Sequence, residues 1–144
     1  MLGTLAKWLR IYGFDTLYAN ADLDDIGILE IAKSENRVII TRDKNMIIRA
    51  RRDNINNISI LSTNINKQIK TVFQKIEYDK EKILSRCIIC NLLVQNIDKK
   101  DVKEKVPNRV FENNNEFWIC PKCKKIYWKG THYENMVKKI KGLS

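Results

Sequence analysis

All four cysteines of this chain fall in two pairs, Cys87-Ile88-Ile89-Cys90 and Cys120-Pro121-Lys122-Cys123. Two residues between thiols let both sulfurs of a tight turn point at one ion. Two such turns at the ends of a small antiparallel sheet complete a tetrahedral thiolate site. The 29 residues between the pairs leave room for a hairpin. Disulfides are the alternative, but they belong to oxidising compartments, and nothing in the first residues reads as a signal peptide. The stretch after residue 80 is basic and poor in core residues, so it needs a staple. The expected staple is a structural Zn²⁺ ion held by Cys87, Cys90, Cys120 and Cys123. Four thiolates close the site, so it holds a fold together and leaves no open position for chemistry. Lys122, Lys124 and Lys125 around the second turn partly offset its negative charge.

A second chemistry is written in carboxylates. Asp43 follows the β-branched run Arg37–Thr41 directly, in Thr41-Arg42-Asp43, and Asp22, Asp24 and Asp25 follow the extended-looking run 15–19. Sites in open α/β sheets form at the carboxyl ends of parallel strands, which is where both groups fall. Carboxylates gathered on one cation select a hard divalent ion, Mg²⁺ or Mn²⁺. Asp is also an ordinary helix N-cap, and both readings stay open for these acids. His132, the single histidine, stands between Thr131 and Tyr133, where it is either a ligand or base or a helix-start packing residue. Tyr127, Trp128 and Tyr133 lie beside lysines and either stack nucleobases or build a small core.

These residues need elements to position them. Leu5, Trp8, Leu9 and Tyr12 recur at helical spacing, with Gly13 as a stop. A strand is expected over 15–19, and a helix from Asp24-Asp25 carrying Ile28, Leu29, Ile31 and Ala32. A buried parallel strand follows over 37–41, then a helix capped by Asp43, a strand over 58–61 and a helix after Thr63. Strands alternating with helices imply an α/β layer with a parallel sheet. After residue 80 the pattern changes to short strand-like pieces, 92–97, 109–112, 116–119 and 125–128, with a last helix from Thr131. The expected division is an α/β domain over 1–80 and a four-cysteine ribbon with a C-terminal helix over 81–144.

The chain has 144 residues with Lys+Arg 27 against Asp+Glu 17, a formal charge of +10. Charged residues at 31% and hydrophobic ones at 44% exclude disordered and fibrous classes, and no apolar run approaches a membrane span. A cytoplasmic location is expected. Residues 1–50 carry 7 basic and 7 acidic side chains, residues 51–86 carry 8 and 4, and residues 87–144 carry 12 and 6. The excess positive charge therefore lies in the second part, as suits a polyanionic partner, although a solvated lysine surface gives the same count.

The residues also occur in a familiar order: Met1-Leu2-Gly3-Thr4-Leu5-Ala6-Lys7-Trp8-Leu9-Arg10, then Gly13-Phe14-Asp15-Thr16, Thr41-Arg42-Asp43 and Cys87-x-x-Cys90-Asn91. Phe117-Trp118-x-Cys120-Pro121-x-Cys123 and Tyr127-Trp128-x-Gly130-Thr131-His132 complete the series. This closely resembles the Mut-7 C-terminal RNase domain family, a PIN-like nuclease fold followed by a zinc ribbon. The resemblance runs from the first residue to about Met136. It implies a metal-dependent RNase, with Asp43 on the family's Thr-Arg-Asp acid and Asp25, next to Asp24, on the acid that opens the second helix. In that family a short strand ending in Asp, central in the sheet, precedes the opening motif. The chain given opens on Met1 without it, so the expected fold is a PIN-like parallel sheet with its first central strand missing, and a start codon further upstream is expected.

The expected function is divalent-metal-dependent hydrolysis of RNA phosphodiesters, with Asp43, Asp25 and Asp24 catalytic and Asp22 in support. Arg42 and Lys44 would neutralise phosphate near the cut; Lys122, Lys124 and Lys125 would grip the backbone; His132 and Tyr133 would contact a base. The rival is an RNA-binding zinc-ribbon adaptor without catalysis. Nothing in the sequence marks an oligomer interface, and a homodimer stays open.

Overall fold

The computed structural model describes residues 2–19, 22–131, 133–135 and 138. The chain divides into two units, Met1–Leu5 with Leu17–Glu77, and Ala6–Thr16 with Tyr78–Ser144.

Helix α1 spans Gly3–Ile11, and its apolar stripe buries Leu5, Leu9 and, just past its end, Tyr12. It stops at Gly13, whose φ of +94° is open to glycine at little cost. The amide of Phe14 bonds to the carbonyl of Leu9 at 2.9 Å and that of Gly13 to Arg10 at 3.0 Å, the paired bonds of a Schellman motif. A left-handed residue likewise ends α2 (Asp25–Ser34) at Asn36 (φ +54°) and α3 (Lys44–Arg52) at Asn54 (φ +58°). There, Arg37 bonds back to Ala32 and Ile55 to Ala50, each at 2.8 Å. Asparagine tolerates this left-handed conformation better than most side chains.

The first unit is built on a β-α-β crossover. Strand β1 (Ile39–Thr41) leads through α3 to β2 (Asn57–Ser59), which pairs parallel to β1 with Ile39 opposite Asn57 and Thr41 opposite Ser59. Ala32, Ile39, Met46, Ala50 and Ile55 form its buried cluster, with Ile28 and Leu29 of α2 against it. Each large apolar side chain buried there contributes about 1.5–3 kcal/mol. Helix α4 (Ile65–Phe73) begins at Asn64, whose side chain accepts from the Lys67 amide, and buries Ile69 and Val72.

The second unit contains three short antiparallel strands in the order β3 (Gln95–Ile97), β4 (Phe117–Ile119) and β5 (Ile126–Tyr127). Helix α5 (Asn108–Asn113) joins β3 to β4. The architecture is thus mixed α/β, with a small parallel sheet in the first unit and, in the second, an antiparallel sheet and two cysteine-bearing turns.

Two expected strands are corrected. Residues 15–19 form no strand. The Thr16 amide donates to Asn91 Oδ1 at 2.9 Å and its carbonyl accepts from Arg10 Nε at 2.9 Å, so side chains already hold groups that a ladder would use. Residues 109–112 lie in α5, which starts after Pro107, where φ is fixed near the helical value. Helical turning lets Val110 and Phe111 both pack on Val102, Val106 and Phe117. The expected last helix, including His132, Met136, Val137 and Ile140, falls largely outside the described residues.

Candidate metal centre and Asp43 cavity

The two Cys-x-x-Cys turns fold alike. The amide of Asn91 bonds to the carbonyl of Cys87 at 2.9 Å, and that of Lys124 to Cys120 at 3.0 Å. The Cys87 amide is closed by Leu92 at 2.8 Å and the Cys120 amide by Lys125 at 3.0 Å. The residue after each pair takes positive φ, +64° at Asn91 and +65° at Lys124. These turns bring the four sulfurs within 4.8 Å of one another, with Cys87 and Cys123 at 3.6 Å.

Zinc–sulfur bonds of about 2.3 Å put tetrahedral thiolates about 3.8 Å apart, so the four cysteines fit a zinc ion. All four are free thiols, as a thiolate site requires. The surroundings favour charge on Cys87. Against the opposing effect of burial, the Tyr127 hydroxyl (3.2 Å), the amides of Cys90 (3.4 Å) and Ile89, and the Cys123 thiol bring its pKa from 9.0 to about 6. Burial, then the neighbouring Cys123 and Cys120 thiols and the charge of Cys87, push Cys90 up to about 12. Tyr127 also accepts from the Ile88 amide at 3.0 Å, and burial followed by its bond to Cys87 raises its own pKa. When bound, the ion would cross-link two turns and supply no open coordination position.

Side chains from Ala6–Thr16 hold the first turn. Arg10 Nη1 donates to the carbonyls of Ile88 at 2.8 Å and Ile89 at 3.2 Å. Asn91 Nδ2 donates to Asp15 Oδ1 at 2.7 Å, and Arg86 donates to the carbonyls of Gly13 and Asn91. Sequence reading missed Arg10, Arg86 and Tyr127 as partners of the cysteine turns. Asn91 carried a usable signal, because a residue in left-handed conformation was required directly after the turn.

Lys122, Lys124 and Lys125 are exposed around the second turn. Lys125 Nζ lies 5.8 Å from the Tyr127 ring centroid. Lys129, which the sequence did not single out, stands 5.2 Å over the Tyr133 ring and 5.4 Å over Trp118.

In the first unit, Asp43 caps α3 and follows β1. Both of its backbone bonds, from Asn45 at 2.8 Å and Met46 at 3.4 Å, fall on Oδ1. It lines a cavity of about 340 Å³ whose walls include Leu17, Tyr18, Val38, Ile40 and Arg42. Arg42 Nη1 donates to the Ser62 carbonyl at 2.8 Å, a carbonyl that Gln68 Nε2 also reaches at 2.8 Å. Lys44 is exposed beside Asp43.

Asp24 caps α2 through the Gly27 amide at 2.8 Å, and Asp25 lies 3.9 Å from Arg49. Asp22 is exposed in the loop before them. The structure brings the four cysteines together; it does not bring Asp22, Asp24 and Asp25 to the wall that Asp43 lines. Among the described residues, no helix is long and apolar enough to cross a membrane.

Comparison with curated proteins and with solved structures found no match. One family model does match, and it extends over the N-terminal helix motif, Asp43 and both cysteine turns. Residues 1–140, essentially the whole chain, fit the Mut7-C RNAse domain, and the chain belongs to that family.

Proposed function

We propose that the protein cleaves RNA phosphodiesters with a divalent cation, Mg²⁺ or Mn²⁺, held in the first unit, while the cysteine-bearing unit grips the RNA. One observation carries this reading: Asp43, just beyond the carboxyl end of a parallel strand, lines a cavity beside a guanidinium, with Oδ2 carrying neither of its capping bonds. A cation there would polarise a phosphoryl oxygen and lower the pKa of an attacking water. The Asp25–Arg49 pair is half-exposed, and a contact of that kind is worth about 0–1 kcal/mol, so Asp25 turns away from it at little cost. Asp24 and Asp22 are its neighbours in this role. Arg42 retains donors for phosphate beyond its bond to Ser62, and Lys44 adds charge. Lys122, Lys124 and Lys125 meet the backbone, and His132 and Tyr133 contact a base.

The second reading is an RNA-binding protein without cleavage, favoured by the separate engagements of Asp24 and Asp25. The test is RNA cleavage in Mn²⁺ by wild type and Asp43→Asn, with RNA binding measured alongside. Asn caps a helix about as well as Asp, so this change isolates chemistry from folding. Cleavage abolished in Asp43→Asn supports the nuclease. Salt-sensitive RNA binding with no cleavage by wild type supports the second reading, and equal cleavage by both proteins removes Asp43.

A further inference from the structure

We infer that Arg10 and Asn91 are positioning residues of the four-cysteine site, so that metal binding and the ordering of residues 10–16 are one coupled event. Arg10 grips the carbonyl oxygens of Ile88 and Ile89. Those carbonyls belong to the two peptide units whose N–H groups, on Ile89 and Cys90, point at the Cys87 sulfur. A guanidinium at the oxygen end of each peptide polarises it, and the N–H end becomes a stronger donor to a thiolate. The same guanidinium fixes the chain beyond α1 through Thr16 at 2.9 Å. Asn91 closes the loop from the other side: its amide takes the Thr16 N–H on Oδ1 and gives Nδ2 to Asp15. Its backbone, at φ +64°, ends the first cysteine turn. One arginine and one asparagine thus tie a segment more than 70 residues away in sequence to the ligand loop.

Four thiolates around a dication leave a net negative site, and a cation held on the ligand turn offsets part of it. Outer partners of metal ligands commonly set about 10–100-fold of the affinity. Binding free energies are reciprocal, so what the segment adds to metal affinity the metal returns as order in the segment.

The experiment uses the full chain and metal alone. Zn²⁺ affinity is measured by competition with a chromophoric chelator, and site geometry from the Co²⁺ spectrum. Amide exchange at Thr16 is followed with and without metal. Arg10→Ala and Asn91→Gly are each expected to weaken Zn²⁺ binding about 10–100-fold and to alter the Co²⁺ bands. Asn91→Gly keeps the left-handed backbone accessible, and it serves alone if Arg10→Ala does not fold. Arg10→Lys keeps the charge without the planar fork and is expected to recover only part of the loss seen in Arg10→Ala. Arg51→Ala, an equal charge change at an exposed position of α3, is expected to leave affinity unchanged. The Thr16 amide is expected to be protected in the loaded protein and to exchange on chelation. Wild-type affinity in the Asn91→Gly variant, equal losses in Arg10→Ala and Arg51→Ala, or Thr16 exchange indifferent to metal each overturn the inference.

Discussion

Replacing Tyr127 with Phe removes one oxygen that does two things at the metal centre. The hydroxyl donates to Cys87 Sγ at 3.2 Å and accepts from the Ile88 amide at 3.0 Å. A hydrogen bond to a charged acceptor contributes about 1.5–3 kcal/mol, equivalent to roughly 10–100-fold in affinity when the charged form is the one that binds. The orphaned Ile88 amide adds about 1–3 kcal/mol of cost, but in loaded and unloaded folded protein alike. It therefore lowers thermal stability without entering the metal affinity. The expected result is a roughly tenfold to hundredfold weaker Zn²⁺ complex, together with a Cys87 thiol that titrates above its wild-type value of about 6. Chelator competition reads the first quantity, and thiolate absorbance of the metal-free chain across pH reads the second. Unchanged affinity and an unchanged Cys87 titration would refute the assignment of Tyr127 as a thiolate donor.

Metal binding should strengthen as pH rises through neutrality, because the raised thiols of Cys90 and Cys123 give up protons only to the metal; calorimetry in buffers of different ionisation enthalpy reads that release. In the metal-free chain, Cys87 is held below its ordinary 9.0, so its stabilising contribution is full above that value and is lost as pH falls through about 6, visible in denaturation midpoints. Gly13→Ala is expected to destabilise the fold by more than about 2 kcal/mol in urea unfolding, since φ is +94° and a Cβ would meet the Lys82 carbonyl oxygen at 2.4 Å. Asp43→Ala should lose about 1 kcal/mol of capping that Asp43→Asn retains, measured by the same unfolding. Reversing Lys122, Lys124 and Lys125 to Glu is expected to flatten the dependence of RNA affinity on salt by about 0.7 in slope per lost phosphate contact, read from filter binding at several salt concentrations.

What the sequence determined by itself was local. The two-residue cysteine spacing, the Asp24 and Asp43 caps, the Gly13 stop and the β-branched run ending at Thr41 each state their structure within four or five residues. Backbone bonds in turns and helix ends reach no further than that. Residues 15–19 and 109–112 depart from their local pattern because their fate lay outside that range: Asn91 and Arg10 hold the first, and the Val102–Phe117 cluster turned the second into a helix. Tertiary structure alone decided that Asp25 meets Arg49 while Asp43 lines an apolar cavity. It alone placed Arg10, 78 residues distant, on the carbonyls of the first cysteine turn. Side chains that act across such separations leave no periodicity or spacing to read, because what joins them is where the folded chain returns.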